Sequence, residues 1–541
     1  MAFHATPAPQ SGTASMRQSI ALQAIPTLAS PIADRSLAKR FASVVNGKSV
    51  SSLISDGVEH REAFGRVAVA LRRVVRDINK REREARTDLN FYAFIKSNLT
   101  SLVNSLGELS PEEQAAVCTA KFSGNQTFPM LVAQHALGAT GGLLDAISGL
   151  DAGTRAKIFT ARDSSNQTFP MHVAQGAQEH TPEVIEKFLN AISGLDANTQ
   201  AKVLTAKGNS NQTLAILIVQ HAQGTVGRLL NIISGLDEDT QTEVFRARDS
   251  SRRTLSMLVV QYAPGDTEAL LDVISGLNAR TRAKVFTARD NGKRTLATLM
   301  ARRAPGVTGK LLDMIGNLSE STQTKVFTTK DEYGGTLPIY IAQCTPGAIG
   351  RLLDMVSGSD ESTWVRVLTA HMRRGVNLAL SRCECGVPFS MCVTRCAPGV
   401  TGKLLDMIGG LDENALEKVF TAHDDARETL PMHIAQYAPE AIEKLLDMIS
   451  CLDESTRVKV LTAQNAAIGW TLPMYVAQHT PKATGKLLQV INGLNGDARA
   501  KVFAARSKEN WGFSLIMNRH TLGSMGRIWS AIKMRWLSLM P

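Results

Sequence analysis

The sequence predicts an all-α solenoid of about eleven repeats of about 41 residues, each with three helices, after a disordered N-terminal segment. The first observation behind this prediction is a fixed period. A Thr-Leu-Pro or Thr-Phe-Pro corner, intact or degenerate, returns along the chain, mostly in 41-residue steps. The second is apolar spacing of helical type inside each repeat. A period of about 20 to 50 residues is typical of solenoids, whose units bury their apolar faces against neighbouring units.

The corners mark where each unit begins, and positions are counted here from the corner, so that +4 is four residues after it and −1 precedes it. The step is 45 residues after Thr168, 52 after Thr336 and 42 after Thr429. The corners are Thr127, Thr168, Thr213, Thr254, Thr295, Thr336, Pro388, Thr429, Thr471 and a degenerate Gly512.

The clearest copy, residues 429–464, gives the first two helices. Thr429 is expected to cap the first helix, with Pro431 in its first turn, where a missing N–H costs nothing. Pro439 is expected to open the second helix. One face of that helix is apolar at i, i+3, i+4 and i+7, through Ile442, Leu445, Leu446 and Ile449.

The third helix has the most regular start, because every unit places an N-cap residue there. A side-chain oxygen at this position can accept from the free N–H groups of a helix start. A glycine often lies two residues earlier, and we expect it to end the second helix in a left-handed turn. The caps are Ser110, Asp151, Asp196, Asp237, Asn278, Ser319, Asp360, Asp412, Asp453 and Asn495.

Residues 288–314 and 429–448 resemble ankyrin repeats: an Asp-x-Gly turn, a Thr-Pro-Leu-His-like opening and a helix that ends in Leu-Leu. Each unit is longer than the roughly 33 residues of an ankyrin repeat, and a third helix accounts for the excess. In length and helix number the units are more similar to HEAT or armadillo repeats. These families bind other proteins, so the resemblance implies a protein-binding scaffold.

The predicted organisation has four parts. Residues 1–55 form a disordered secretion or targeting segment, and residues 56–90 form a helical lead-in. The solenoid occupies residues 91–511, and residues 512–541 form a degenerate capping repeat. We expect no membrane span, since no run of eighteen apolar residues occurs.

Charge is unevenly distributed along the chain. The net charge is +11, but residues 127–511 contribute only about +2 of it. We find no regular cationic column in the repeats, and binding to phosphates requires one. Nucleic acid is therefore predicted to be an unlikely partner, despite helical-repeat proteins that read one base per unit.

Residues 1–55 are rich in Ser, Thr, Ala and Pro, and Asp34 is their only acidic residue. Such a segment is typical of disorder. It also resembles the uncleaved N-terminal signal of type III secreted bacterial effectors. A mitochondrial presequence has a similar composition, and a tail without any targeting role is a third interpretation.

Four of the seven cysteines cluster at Cys383, Cys385, Cys392 and Cys396. Their spacing is not one of the usual zinc-ligand spacings, and the last two occupy repeat positions, so this is a weak candidate metal site and we predict no metal. Cys118, Cys344 and Cys451 are isolated, which is typical of a reducing compartment.

Catalytic motifs are missing from the sequence: it has no phosphate-binding loop, nucleophile elbow or HExxH. Acidic residues recur in the turns before the corners, where capping of the turn explains them better than catalysis. These are Asp163, Asp249, Asp290, Asp331 and Asp424. The protein is predicted to be no enzyme and to need no cofactor.

Positions +4 and +8 vary in kind, whereas their neighbours stay constant. They are one helical turn apart and share a face of the first helix. If first helices line the concave surface, as in ankyrin proteins, these side chains should be partly exposed and anchor a partner. The candidate partner-binding residues are His172, Tyr262, Arg303, Tyr340, His433, Tyr437, Tyr475 and His479. The alternative is that this face packs on the neighbouring unit; for the Gln column at +7 we prefer that interpretation, with the Gln side chains holding the turn backbone.

The functional prediction is a non-enzymatic, monomeric scaffold that binds host proteins, as a type III effector of a plant-associated bacterium acting inside a host cell. The host compartment, cytoplasm or nucleus, is left open. The alternative is a nucleic-acid-binding helical-repeat protein, favoured by the pI of 9.3.

Overall fold

A computed structural model describes residues 45–46, 62–84, 89–208, 211–371, 387–514 and 516. Within them the chain forms thirty α-helices and no β-strand, which confirms the all-α solenoid. No helix among the described residues is long and apolar enough to cross a membrane. Almost all of the predicted secretion segment, residues 1–55, and most of the predicted C-terminal cap, residues 512–541, lie outside the described residues.

Three helices precede the first complete unit: Glu62–Glu84, Leu89–Ser105 and Pro111–Thr119. The first two pack together, and Leu89–Ser105 also packs on the helix after Thr127. Ser110 forms the predicted capping box with Glu113 at the start of Pro111–Thr119.

The first helix of each unit begins directly after the corner residue. The first helices are Phe128–His135, Phe169–Gln175, Leu214–His221, Leu255–Tyr262, Leu296–Arg303, Leu337–Cys344, Phe389–Cys396, Leu430–Tyr437 and Leu472–His479. Thr254 and Thr295 accept a hydrogen bond from the N–H three residues on, whereas Thr429 makes no such cap bond.

The second helix begins later than predicted in most units. Pro439–Ala441 forms a 3-10 turn, and the α-helix begins at Ile442, whereas Pro182 does open an α-helix. The second helices are Thr140–Ser148, Pro182–Ser193, Val226–Ser234, Thr267–Gly276, Thr308–Gly316, Ile349–Ser357, Thr401–Gly409, Ile442–Ser450 and Thr484–Asn492.

The third helices carry the predicted caps. Asp453, for example, accepts from the N–H of Thr456 at 3.0 Å, and nine of the ten cap residues make this bond, Ser319 being the exception. The third helices are Ala152–Thr160, Ala197–Thr205, Glu238–Arg246, Ala279–Thr287, Glu320–Thr328, Glu361–Leu368, Glu413–Thr421, Glu454–Thr462 and Gly496–Ala504.

The glycines before these caps are not left-handed, so that prediction was wrong. Gly149 and Gly410 have φ of −75° and −85°, in the right-handed region. Among the described residues, positive φ occurs instead in the turns that precede the corners, as at Asn166 with φ of 54°.

Like helices stack on like helices from unit to unit, and the first helix is the most buried of the three. It contacts the second helix of its own unit and the third helix of the preceding one. All six residues from Leu430 to Ala435 are buried, including the polar one. The predicted exposed face of the first helix therefore does not exist over most of its length.

Candidate nucleic-acid interface

A tight hairpin turn joins each third helix to the next first helix, and a buried carboxylate organises it. Asp163 Oδ1 accepts from the N–H groups of Ser165 and Gln167 at 2.8 and 2.9 Å. The N–H of Asp163 donates to the carbonyl oxygen of Gln167. The same arrangement forms around Asp249, Asp290, Asp331 and Asp424, which confirms the capping role predicted for these residues.

The second oxygen of that carboxylate binds the side chain at +4. Nε2 of His172 lies 3.0 Å from Asp163 Oδ2, and the Tyr340 hydroxyl donates to Asp331 Oδ2. In the Thr471 unit the turn residue is Asn465, whose amide donates to the Tyr475 hydroxyl at 2.9 Å.

Where the turn has a carboxylate and the residue at +4 is Leu, an Arg at position −1 binds the second oxygen of that carboxylate instead. Arg253 donates to Asp249 through Nε at 2.8 Å and Nη2 at 2.7 Å. Arg294 binds Asp290 in the same way, with Nε and Nη2 both contacting Oδ2. Units without a turn carboxylate, with Phe122 or Gly208 in its place, have Leu131 and Leu217 at +4.

This pairing corrects the prediction for the +4 column. His172, Tyr340, His433 and Tyr475 are 6%, 0%, 2% and 3% exposed, so they are not partly exposed anchors. Their variety follows the polarity of the turn beneath them, because a buried polar group needs a partner. Burial, with a hydrogen bond to Glu428, also raises the pKa of Tyr475.

The +8 residues lie at the end of the first helix and keep some exposure. Arg303 and His479 are exposed, and Tyr262 and Tyr437 are half-buried. Their role in binding a partner stays a prediction.

In the Gln column at +7, Gln134 and Gln261 bind side chains of the turn, whereas contact with the turn backbone was predicted. Gln134 Oε1 accepts from Gln126 Nε2 at 3.0 Å, and Gln261 Oε1 accepts from Arg253 at 3.1 Å.

Two of the four clustered cysteines, Cys392 and Cys396, lie among the described residues. Cys383 and Cys385 lie outside the described residues. Cys392 is buried, with its thiol 3.7 Å from the carbonyl oxygen of Val387, and Cys396 is half-buried. Both occupy first-helix positions, as predicted.

Most acidic residues of the repeats are engaged within the solenoid. The turn carboxylates are buried, and the cap carboxylates accept from backbone N–H groups; at Asp360, hydrogen bonds from Ser362 and Thr363 lower the pKa to about 2. On the second helices an Asp of one unit binds a Lys or Arg of the next. These pairs are Asp145–Lys187, Asp272–Lys310, Asp313–Arg351, Asp354–Lys403, Asp406–Lys444 and Asp447–Lys486.

Two columns of mostly cationic residues run along the third helices and the turns. The turn column follows the third helix directly: Lys121, Arg162, Lys207, Arg248, Arg289, Lys330, His371, His423, Gln464 and Arg506. The helix column lies in the last turns of the third helices: Lys157, Lys202, Glu243, Lys284, Lys325, Arg366, Lys418, Lys459 and Lys501. All are exposed except Arg248 and Lys284, which are half-buried.

In each unit the positions of the two columns lie five apart in the sequence, and together they are called the cationic ridge here. Other cations, outside the two columns, lie close enough to interact with them. Arg246 and Arg280 lower the pKa of Lys284, and burial together with Arg252 lowers that of Arg248. Such crowding disfavours bound protons and favours an anionic ligand.

Side chains of the turn column also connect neighbouring units. Arg162 donates to the carbonyl oxygen of Lys207 at 3.1 Å, and Arg248 and Arg289 make the equivalent bonds at 3.0 and 2.9 Å. Gln464 makes the same bond to the carbonyl oxygen of Arg506 at 2.8 Å. A neutral amide is thus sufficient for this contact.

Among known proteins, only solved structures match this chain. No family model and no curated protein matches the chain. Solved structures that this chain matches include "Structure of APUM23-GGAGUUGACGG" and "Structure of APUM23-GGAAUUGACGG". Each has a TM-score of 0.30 and 11% identity over 92% of this chain and 100% of that chain. Both titles pair the protein with a ribonucleotide sequence; at this TM-score the likeness carries no argument about this chain's ligand.

The partner prediction, which favoured host proteins and set nucleic acid aside, is corrected. It depended on the absence of a regular cationic column, and the ridge contains two such columns. The near-zero net charge concealed them because most of the compensating acids lie elsewhere: in the buried turns, at the helix N-caps or in pairs on the second helices, although Glu417 does pair with Lys459 of the ridge. The anchors chosen for a protein partner are, in the +4 column, core residues.

Proposed function

We propose that this protein binds nucleic acid, through the phosphate groups, along the cationic ridge. The observation that carries the proposal is the surplus charge of the turn column. Because Gln464 makes the inter-unit hydrogen bond without a charge, the Lys and Arg residues at the same position carry a charge that packing does not require. Repetition of that charge in six consecutive units, from Lys121 to Lys330, suits a ligand with regularly repeated negative charge.

The test exploits the same comparison. The triple variant Arg162→Gln, Arg248→Gln, Arg289→Gln keeps a donor for each carbonyl and removes three charges. The matched control is Lys187→Gln, Lys310→Gln, Lys486→Gln on the second helices, which removes three charges of surface Lys–Asp pairs whose aspartates are exposed. Surface pairs contribute little to stability, about 0 to 1 kcal/mol each.

Binding is measured by fluorescence anisotropy with labelled single-stranded RNA and with duplex DNA, at several salt concentrations. Each phosphate neutralised on a single strand contributes about 0.7 to the slope of log K against log salt. We expect the ridge variant to lower that slope by about 2 and the control variant to leave it nearly unchanged. Equal loss in both variants, or no binding to either nucleic acid, would refute the proposal.

We further propose that the protein is a type III effector delivered into a host cell. The support for this proposal is the composition of residues 1–55, which lie almost wholly outside the described residues. Their deletion should abolish export through a type III apparatus and leave the thermal transition of the solenoid unchanged. Continued export, or mitochondrial delivery of a reporter by this segment, would refute it.

A further inference from the structure

The Thr429 unit contains a buried group of three metal-binding side chains that the cationic ridge does not use. His433 Nε2 lies 3.3 Å from Asp424 Oδ2 and 3.4 Å from Glu428 Oε2. One ligand atom from each residue lies within 4.8 Å of the other two. The imidazole is 2% exposed, and the carboxylate side chains are 9% and 19% exposed.

Comparison with the Thr168 unit shows what is unusual here. There, His172 faces the single carboxylate Asp163, and position −1 is the neutral Gln167. In the Thr429 unit position −1 is Glu428, so two carboxylates share one imidazole. Two such groups away from water repel each other unless a cation or a proton lies between them.

A second observation points to a ligand at the same place. In three sister units the Gln at +7 accepts a hydrogen bond, at 3.0 to 3.1 Å, from the side chain at −1. Glu428 is an acceptor and cannot donate this bond when ionised. Accordingly Gln436 Oε1 is buried without a hydrogen-bond partner in the part of the chain that the structure describes.

The next unit holds the Glu428 carboxylate in position. The Tyr475 hydroxyl donates to Glu428 Oε1, and Asn465 Nδ2 lies 3.3 Å from the same oxygen. Groups of this kind orient metal-binding carboxylates in proteins.

We propose that Asp424, Glu428 and His433 bind one divalent metal ion, and that zinc is the ion they suit best. One imidazole nitrogen and two carboxylate oxygens are zinc ligands, and they leave the fourth tetrahedral position for water or for Gln436 Oε1. His433 binds through Nε2 and carries its proton on Nδ1. The ion holds the hairpin turn on the first helix, a structural role separate from the ridge.

The experiment is isothermal titration of the full-length chain, stripped of metal by a chelator, with Zn²⁺ and with Co²⁺. We expect one site per chain, weakened at least about 100-fold by Glu428→Gln. This variant reproduces the native Gln167 arrangement, so its fold should be kept, which circular dichroism checks. The exposed His479→Gln is the control and should bind as the wild type does.

Three outcomes would overturn the proposal: no binding, binding unaffected by Glu428→Gln, or a thiolate-to-cobalt charge-transfer band. The last would assign the metal to the cysteines instead. In support, Zn²⁺ should raise the melting temperature of the wild type and not that of Glu428→Gln, because an ion that binds only the folded state stabilises it. A negative result in this experiment would not bear on nucleic-acid binding by the cationic ridge.

Discussion

The exchange of Tyr340 for Leu tests whether the +4 residue exists to satisfy the turn. Tyr340 is 0% exposed, and its hydroxyl donates to Asp331, which is 5% exposed. Tyr340→Leu leaves a buried carboxylate oxygen without this donor. We expect the unit to lose about 3 kcal/mol of local stability, since an unsatisfied buried group costs about 1 to 3 kcal/mol and a charged one more.

A second substitution should repair the first. A Cβ at Gly335 would lie 2.5 Å from the Tyr340 hydroxyl oxygen and 2.7 Å from Cζ. Gly335→Arg alone therefore overpacks the site, at a cost of about 1 to 3 kcal/mol. In the double variant the ring is gone, and the introduced guanidinium can bind Asp331 as Arg294 binds Asp290. We expect the double variant to be within about 1 kcal/mol of the wild type, with a favourable coupling of at least about 2 kcal/mol.

Hydrogen exchange of residues 331–345, followed by mass spectrometry, is the suitable assay. It reports the opening of one unit, whereas a global transition averages over a repeat array that can unfold piecewise. Additive losses in the double variant would show that the turn carboxylate does not select its partner, and the explanation of the variable +4 column would fail.

Three further predictions concern stability. Asp453→Ala should cost about 1 kcal/mol and Leu446→Ala about 2 to 5 kcal/mol in denaturant titrations; equal losses would mean that the helix boundaries are misplaced. Tyr475→Ala should destabilise by about 3 to 5 kcal/mol and the half-buried Tyr437→Ala by much less; similar small losses would contradict the burial of the +4 column. Hydrogen bonds from Ser362 and Thr363 lower the pKa of Asp360 from 3.8 to about 2, so the stability it supplies is complete above pH 4 and is lost between about pH 4 and pH 2. Urea midpoints of wild type and Asp360→Asn over this window should converge as the pH falls; a constant difference would refute the assignment.

The architecture could be predicted from the sequence because the features that determine it, helix caps and apolar faces, act over only a few residues. A cap residue such as Asp453 acts on an N–H three residues away, and Ile442, Leu445 and Leu446 share a face by helical geometry alone. The start of the second helix was misplaced at Pro439, since proline suits the first turn of a 3-10 segment as well as that of an α-helix.

The site was harder to predict, because burial depends on packing between units. Variation at +4 indicated an exposed surface, yet His172 and Leu258 are both core residues whose identity follows the turn. One signal in the sequence could have revealed this: where the turn has Asp, either +4 is polar or −1 is Arg, as in Asp249 with Arg253. The cationic ridge was missed because only the net charge of the repeats was considered, and this sum hides where the positive charges lie.

Gln464, Arg162, Arg248 and Arg289 each make the same hydrogen bond to a carbonyl oxygen of the next unit. This equivalence allows whole units to be lost or gained. Because that contact joins the same position in successive units, excision of residues 254–294 would bring equivalent partners together and restore it. Each such event would shorten the ridge by two cationic positions without a new interface. Duplication or loss of whole units in the gene would then change affinity for a polyanion in steps, while the fold of the remaining units stayed the same.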